Sequence, residues 1–143
     1  MYDRILVPTD GSEPSSEAAE HAMRLAGRHG ATVDALYVVD EAGPAGHWDV
    51  VVERQESDGE RALDAVAARG DEHGVAVERH LRRGSPSEEI VHAARDYGAD
   101  LIVMGTQGLR GLDRVASAGS TTERVVRLTT VPTLVVGGAG TGR

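Results

Sequence analysis

Apolar residues along this chain follow two alternating rhythms. Short unbroken runs, Ile5-Leu6-Val7, Leu36-Tyr37-Val38-Val39, Leu101-Ile102-Val103-Met104 and Leu134-Val135-Val136, are bounded by turn residues. Such runs suit strands buried on both faces. Between them, apolar positions recur at helical spacing. Ala18, Ala22 and Leu25, with Ala19, Met23 and Ala26 beside them, predict a helix. Ser12 caps it, Pro14 lies in its first turn, and Gly30 ends it after His29. Leu63, Val66 and Ala67 give an apolar face to a helix from about Val50 to His73, on which Glu53, Arg54, Glu56 and Asp58 are solvated. Gly59 weakens its middle by roughly 1 kcal/mol relative to Ala, and marks a place for a kink or break.

Val75, Val77, Arg79 and Leu81 alternate with other residues and predict a half-exposed edge strand. Gly84-Ser85-Pro86-Ser87-Glu88 then puts Ser at an N-cap, Pro at N1 and Glu at N3. That helix has Ile90, Val91 and Ala94 as its buried stripe and stops at Gly98. Ser120 with Glu123 is a second capping box, opening a helix to about Thr129 before Val131-Pro132 breaks the pattern. Glu41 to Trp48 is a loop rich in Gly, Ala and Pro, and Trp48 serves either as a lid or as an anchor for the next helix. Gly137 to Arg143 reads as a frayed tail.

Strands alternating with helices predict an α/β fold, a single domain over residues 1–143. Its sheet is open, parallel and five-stranded, with helices on both faces and strand order 3-2-1-4-5. Strands 1 and 4 are then neighbours, and the winding reverses between them. The turns after Pro8 and Met104 flank one crevice, where ligands of such sheets bind.

Composition narrows the chemistry. The chain has 143 residues, enough for one full core, and no Cys, which excludes disulfides and thiolate catalysis. A net charge of -8 argues against nucleic acid or anionic membrane as the main partner. No apolar run approaches membrane-spanning length, and the opening strand shows no signal-peptide pattern, so a cytoplasmic location is expected. All 15 basic residues are Arg. Without Lys there is neither a P-loop nor Schiff-base chemistry. The six His residues, His21, His29, His47, His73, His80 and His92, show no metal-ligand spacing. There is no Gly-x-Ser-x-Gly elbow, and Gly105, Gly108 and Gly111 do not match the dinucleotide fingerprint.

What remains is a nucleotide site built mainly from main chain. Leu101 to Met104, then Gly105 and Gly108, then the helix start at Ser120, is an order that aims backbone N–H groups and a helix dipole at a phosphate. The same order also fits a tight connection whose glycines serve geometry alone. Asp10 is either a turn residue or an acceptor for a ribose or adenine group, and Val38 and Met104 are apolar walls for a base. Gly108, Gly119, Ser120, Thr121 and Thr122 offer N–H and hydroxyl donors. A triphosphate in an acidic chain needs its charge offset by Arg110, Arg114 or a bound Mg²⁺ or similar divalent ion; those two Arg are otherwise solvated or paired with Asp113.

These residues carry a resemblance covering nearly the whole chain. Arg4-Ile5-Leu6-Val7-Pro8-Thr9-Asp10-Gly11-Ser12, Gly84-Ser85-Pro86-Ser87-Glu88-Glu89-Ile90 and Gly98-Ala99-Asp100-Leu101-Ile102-Val103-Met104-Gly105-Thr106 are similar to the universal stress protein family, in its nucleotide-binding branch. ATP-binding members carry Gly, two residues, Gly, nine residues, Gly, then Ser or Thr; Gly105, Gly108, Gly119 and Ser120 stand in those places. The spacer Leu109–Ala118 is ten residues, one longer than that pattern, and Gln107 stands where many members have His. The resemblance implies a Rossmann-like sheet of the adenine nucleotide alpha hydrolase type. It implies base and ribose contacts at Pro8, Thr9, Asp10, Val38, Met104 and Gly105, and phosphate contacts at Gly108 and from Gly119 to Thr122. It also implies a homodimer through the last strand.

The expected function is an ATP-binding stress-response protein that holds its nucleotide as a ligand, with slow or no hydrolysis and no catalytic residue. A nucleotide-independent dimeric adaptor of the same fold is the alternative, favoured by the longer spacer. An AMP-forming ligase or ATP pyrophosphatase is disfavoured, because Pro8-Thr9-Asp10-Gly11-Ser12 is not their Ser-Gly-Gly-x-Asp-Ser loop.

Overall fold

The apolar runs become the strands. In the computed structural model, β1 (Arg4–Pro8), β2 (Thr32–Asp40), β3 (Val77–Gly84), β4 (Leu101–Gly105) and β5 (Thr133–Val136) alternate, among the described residues, with four helices. These are α1 (Glu13–His29), α2 (Trp48–His73), α3 (Pro86–Tyr97) and α4 (Thr121–Leu128). The structure describes residues 1–40, 48–106 and 121–137, with side chains in α2 from Arg54 onwards. Gly108, Arg110, Arg114, Gly119 and Ser120, the Leu109–Ala118 spacer, the loop 41–47 and the tail 138–143 lie outside the described residues, as does the side chain of Trp48.

All four strand pairings are parallel and the order is β3-β2-β1-β4-β5, as the alternation predicts. Residues alternate between the two faces of each strand. Ile5, Val7, Val33, Ala35, Leu101 and Val103 pack under α1 and α2 with Ala22, Met23, Leu63 and Val66. Leu6, Leu36, Ile102 and Met104 pack under α3 and α4 with Ile90, Ala94 and Val125. The central strands are buried on both sides, which is why they read as unbroken apolar runs. Val77–Gly84 is an edge strand, as its charged alternation predicts, although it starts after Val75.

The ends of α1 and α3 follow the local chemistry with one exception. Ser12 caps α1 by accepting from the Ser15 N–H at 3.4 Å, and Gly30 closes it at φ 69°. Gly98 closes α3 at φ 71°. Ser85 stands at the N-cap of α3, but its side chain makes no cap hydrogen bond. Pro86 at the first helical position leaves the first turn one orphan N–H fewer, and its fixed φ suits the helix start.

Close approach explains Gly59 and Gly105. Gly59 does not interrupt α2, which is assigned as one helix of 26 residues. A Cβ there would lie 2.6 Å from Cδ1 of Tyr37, so the missing side chain lets the helix sit down on β2. At Gly105 a Cβ would lie 2.5 Å from the Pro14 carbonyl oxygen, so the first turn of α1 rests on the end of β4.

Polar contacts hold α2 in register. Glu20 of α1 accepts from Arg69 at 2.9 Å and pairs with His73 at 2.8 Å, while Arg79 and Arg83 of β3 reach Asp64 and Glu56 of α2. Burial works to raise Glu20, but the hydrogen bonds from His73 and Arg69 outweigh it and hold the carboxyl below its ordinary value of 4.5. Deeper in, Asp34 is fully buried yet satisfied: Arg4 donates to it through Nε at 3.0 Å and Nη2 at 2.7 Å, and His80 Nε2 lies 2.9 Å away. The hydrogen bond with Asp34 outweighs burial and raises Arg4 further above its ordinary range.

Gly105→Ala is expected to lower stability in urea by about 1–3 kcal/mol, because the clash is with main chain that cannot swing aside. Wild-type stability in that variant would show that α1 does not rest on β4. The depressed Glu20 contributes stability that is full above pH 4.5 and is lost as pH falls through its folded value. Glu20→Gln should therefore cost roughly 1 kcal/mol near neutrality and converge on wild type in acid. Parallel stability-against-pH curves for the two proteins would contradict this.

Candidate functional site

The sheet reverses its winding between β1 and β4, and a cavity of about 490 Å³ opens there at the carboxyl ends of the strands. A volume of this size suits a small-molecule ligand. Pro8, Thr9 and Asp10 line it from the turn after β1, Leu36 and Val38 from β2, and Met104 and Gly105 from β4. Thr121 and Thr122 line it from the start of α4. Of the site residues expected from the sequence, the described ones therefore meet around one space.

Their roles are more restricted than residue type suggests. The Thr9 hydroxyl oxygen accepts from the Gly11 N–H at 3.1 Å and lies 3.1 Å from Ser15 Oγ, and the Thr9 N–H donates to the Leu36 carbonyl at 2.8 Å. Thr9 thus fastens the β1 turn to α1 and β2. Asp10 is exposed, and its Oδ1 accepts from the Ser12 N–H at 2.9 Å, which fixes the carboxylate at the cavity mouth. Gly11 completes that turn at φ 83°, a conformation that L side chains rarely adopt. For Thr122 the structure narrows the expected N–H and hydroxyl donor role to the N–H. Its buried hydroxyl donates to the Gly105 carbonyl at 2.8 Å, tying α4 to β4, so its hydrogen is not available to a phosphate.

The main chain of β2 supplies what these side chains do not. In a parallel strand the N–H and C=O of one residue point the same way, and successive residues alternate. The Thr32 N–H bonds the Asp3 carbonyl and the Leu36 carbonyl receives the Thr9 N–H, whereas the Val33 N–H bonds Ala76 beside β3. Even-numbered residues of β2 therefore face β1. The register of β1 on β2 ends at Pro8 opposite Leu36, while β2 continues to Asp40. Val38 consequently turns one donor and one acceptor into the cavity, and among the described residues no backbone hydrogen bond occupies them. Asp40, next in the same row, is taken up by the Gln55 side chain. Its N–H donates to Oε1 at 2.9 Å, and its carbonyl accepts from Nε2 at 3.1 Å.

Several lining residues escaped the sequence reading. Pro86 and Ile90 come from α3, Pro14 from α1, Gln55 from α2 and Tyr37 from β2. Gly59 was the one available signal for Tyr37, since an isolated glycine in a helical pattern can mark close packing. Nothing in the local pattern pointed to Gln55. Tyr37 also borders a second hollow of about 350 Å³ between α1 and α2, shared with Thr9 and Asp10. Burial, then the Asp58 and Asp10 carboxylates, push its phenol above the ordinary 10.0.

One group of metal-ligating types occurs among the described residues: Asp34, Glu78 and His80. It lies below the cavity towards the amino ends of the strands, and Arg4 already bridges Asp34 and Glu78 at 2.7 and 3.1 Å. The cation of that cluster is the guanidinium.

Comparison with known proteins agrees with this architecture. The chain matches the Universal stress protein family over residues 1–137. It is 43% identical over 141 residues to a universal stress protein of Methanocaldococcus jannaschii, covering 95% of this chain and 82% of that protein. A crystal structure of a universal stress protein family member from Burkholderia pseudomallei superposes with a TM-score of 0.79 at 34% identity, covering 94% and 96% of the two chains. A universal stress protein crystallised in complex with cAMP superposes with a TM-score of 0.77 at 25% identity, over 94% and 97%. With its sheet order, its crevice between β1 and β4 and a family match over nearly its whole length, this chain belongs to the universal stress protein family.

Proposed function

We propose that this protein binds an adenine nucleotide, ATP with Mg²⁺ or a similar divalent ion, and holds it as a ligand in stress signalling. The observation that carries the reading is the open main-chain pair of Val38. Adenine presents an acceptor at N1 beside a donor at N6, which complements one N–H and one C=O on a single extended residue. Pro8, Ile90 and Met104 line the cavity and supply apolar surface to cover its faces. The cAMP complex of a structural neighbour is consistent with this chemistry.

None of the described residues lining the cavity is basic. A triphosphate here relies on main-chain dipoles, on the metal it carries and on Arg110 or Arg114, with Gly108, Gly119, Ser120 and Thr121 as the N–H and hydroxyl donors in this reading. The carboxylates among the described lining residues, Asp10 and Asp40, stand on the base and ribose side of the crevice in this reading rather than beside the γ-phosphate, so hydrolysis is slow or absent. Val135 is exposed on β5, at the far edge of the sheet, and we place a homodimer contact there, in a cytoplasmic protein.

Thermal unfolding with Mg-ATP near one hundred times its Kd should raise Tm by about 5–10 °C. An analogue lacking the ring acceptor, 1-deaza-ATP, should bind about tenfold more weakly, since it leaves the Val38 N–H unpaired. Equal shifts from the two nucleotides would remove Val38 from the site, and no shift from either would leave the nucleotide-free adaptor as the function.

A further inference from the structure

The second donor–acceptor pair in the β2 row is already filled, and what fills it faces any ligand on the first. Gln55 is half-buried on α2 and lines the cavity with Val38 and Asp40. Its amide orientation is fixed by chemistry. The Asp40 N–H can only donate and the Asp40 carbonyl can only accept, so Oε1 must lie on the nitrogen and Nε2 on the carbonyl. Turning the amide over would break both bonds. Along the strand the Asp40 nitrogen precedes its carbonyl, so Oε1 is the amide atom nearer Val38. An amide oxygen carries two lone pairs, and the Asp40 N–H uses one.

We infer that Gln55 is a specificity-determining residue, which selects a 6-amino purine over a 6-oxo purine. This rests on the proposed pairing of the base with Val38. With N1 on the Val38 N–H and N6 on its carbonyl, the exocyclic group points along the row towards Gln55 Oε1. An amino group has a second hydrogen to donate there. A 6-oxo group sets its oxygen against two acceptors, the Val38 carbonyl and Oε1, and its protonated N1 against the Val38 N–H. Pairing a 6-oxo purine the other way round, with O6 on the N–H, reverses the ring. Its sugar edge then points to Gln55 and away from Asp10 and the β1–β4 crevice. The side chain that reads the base is itself held by contacts outside the cavity: Arg83 grips Glu56, its neighbour on α2, and Glu20 grips the far end of that helix.

The test compares Kd for Mg-ATP and Mg-ITP by calorimetry in wild type, Gln55→Ala and Gln55→Met. Gln55 packs at a half-exposed position, and Met keeps its length and helix propensity without the polar atoms. Wild type should prefer ATP, and both variants should lose about tenfold of that ATP-to-ITP ratio, mainly through weaker ATP binding. An unchanged ratio, with both nucleotides weakened equally, would make Gln55 a structural support of β2 and overturn the inference while leaving the nucleotide site intact. Failure of wild type to bind either nucleotide would overturn the inference and the proposed function together.

Discussion

A parallel strand that outruns its neighbour leaves hydrogen-bonding groups with nothing to bond. β2 continues to Asp40, whereas its pairing with β1 stops at Leu36, because Thr9 to Gly11 turn the chain away into α1. Buried or half-buried backbone donors and acceptors are costly when unpaired. The fold meets that cost in two ways. At Asp40 it supplies a side-chain amide, and at Val38 it leaves the pair facing a cavity. The crevice of this architecture is the place where sheet hydrogen bonding runs out, and in the proposed function a ligand with a complementary edge completes it.

Everything around that gap keeps its shape. The turn after β1 is fastened by the hydroxyls of Thr9, Ser12 and Ser15 and by the Asp10 carboxylate on the Ser12 N–H. The end of β4 is fixed from both sides, by Pro14 resting on Gly105 and by the Thr122 hydroxyl on its carbonyl. Residues that look like ligand donors in the sequence are here spent on holding the walls. In the proposed function recognition is left to the main chain, which suits a cavity lined, among the described residues, by no basic side chain.

The fold was largely legible in the sequence, and the reasons are physical. A strand buried on both faces must be apolar throughout, so Ile5 to Val7 and Leu101 to Met104 could hardly be read otherwise. Right-handed crossovers then leave few topologies. Capping residues at Ser12, Gly30 and Gly98 are local and were read locally. What was not legible depends on contacts between distant segments. Asp34 carries no local sign of its burial: it is fully buried because Arg4 and His80 satisfy it across three strands. Gly59 reads as a weak point in a helix because propensity is local, while its reason is the ring of Tyr37 on β2. Gln55 has no local signature at all. Its importance comes from the strand end that α2 happens to cross.

The central claim is that the Val38 main chain is an open half of a hydrogen-bonded pair. Amide hydrogen exchange read residue by residue tests it directly, with and without Mg-ATP. The account predicts that the Asp40 amide is protected in both conditions, being held by Gln55. The Val38 amide should exchange freely in the unliganded protein and become strongly protected when the nucleotide binds. A Val38 amide that is equally protected in both conditions, or equally exposed while Mg-ATP is demonstrably bound, would contradict it.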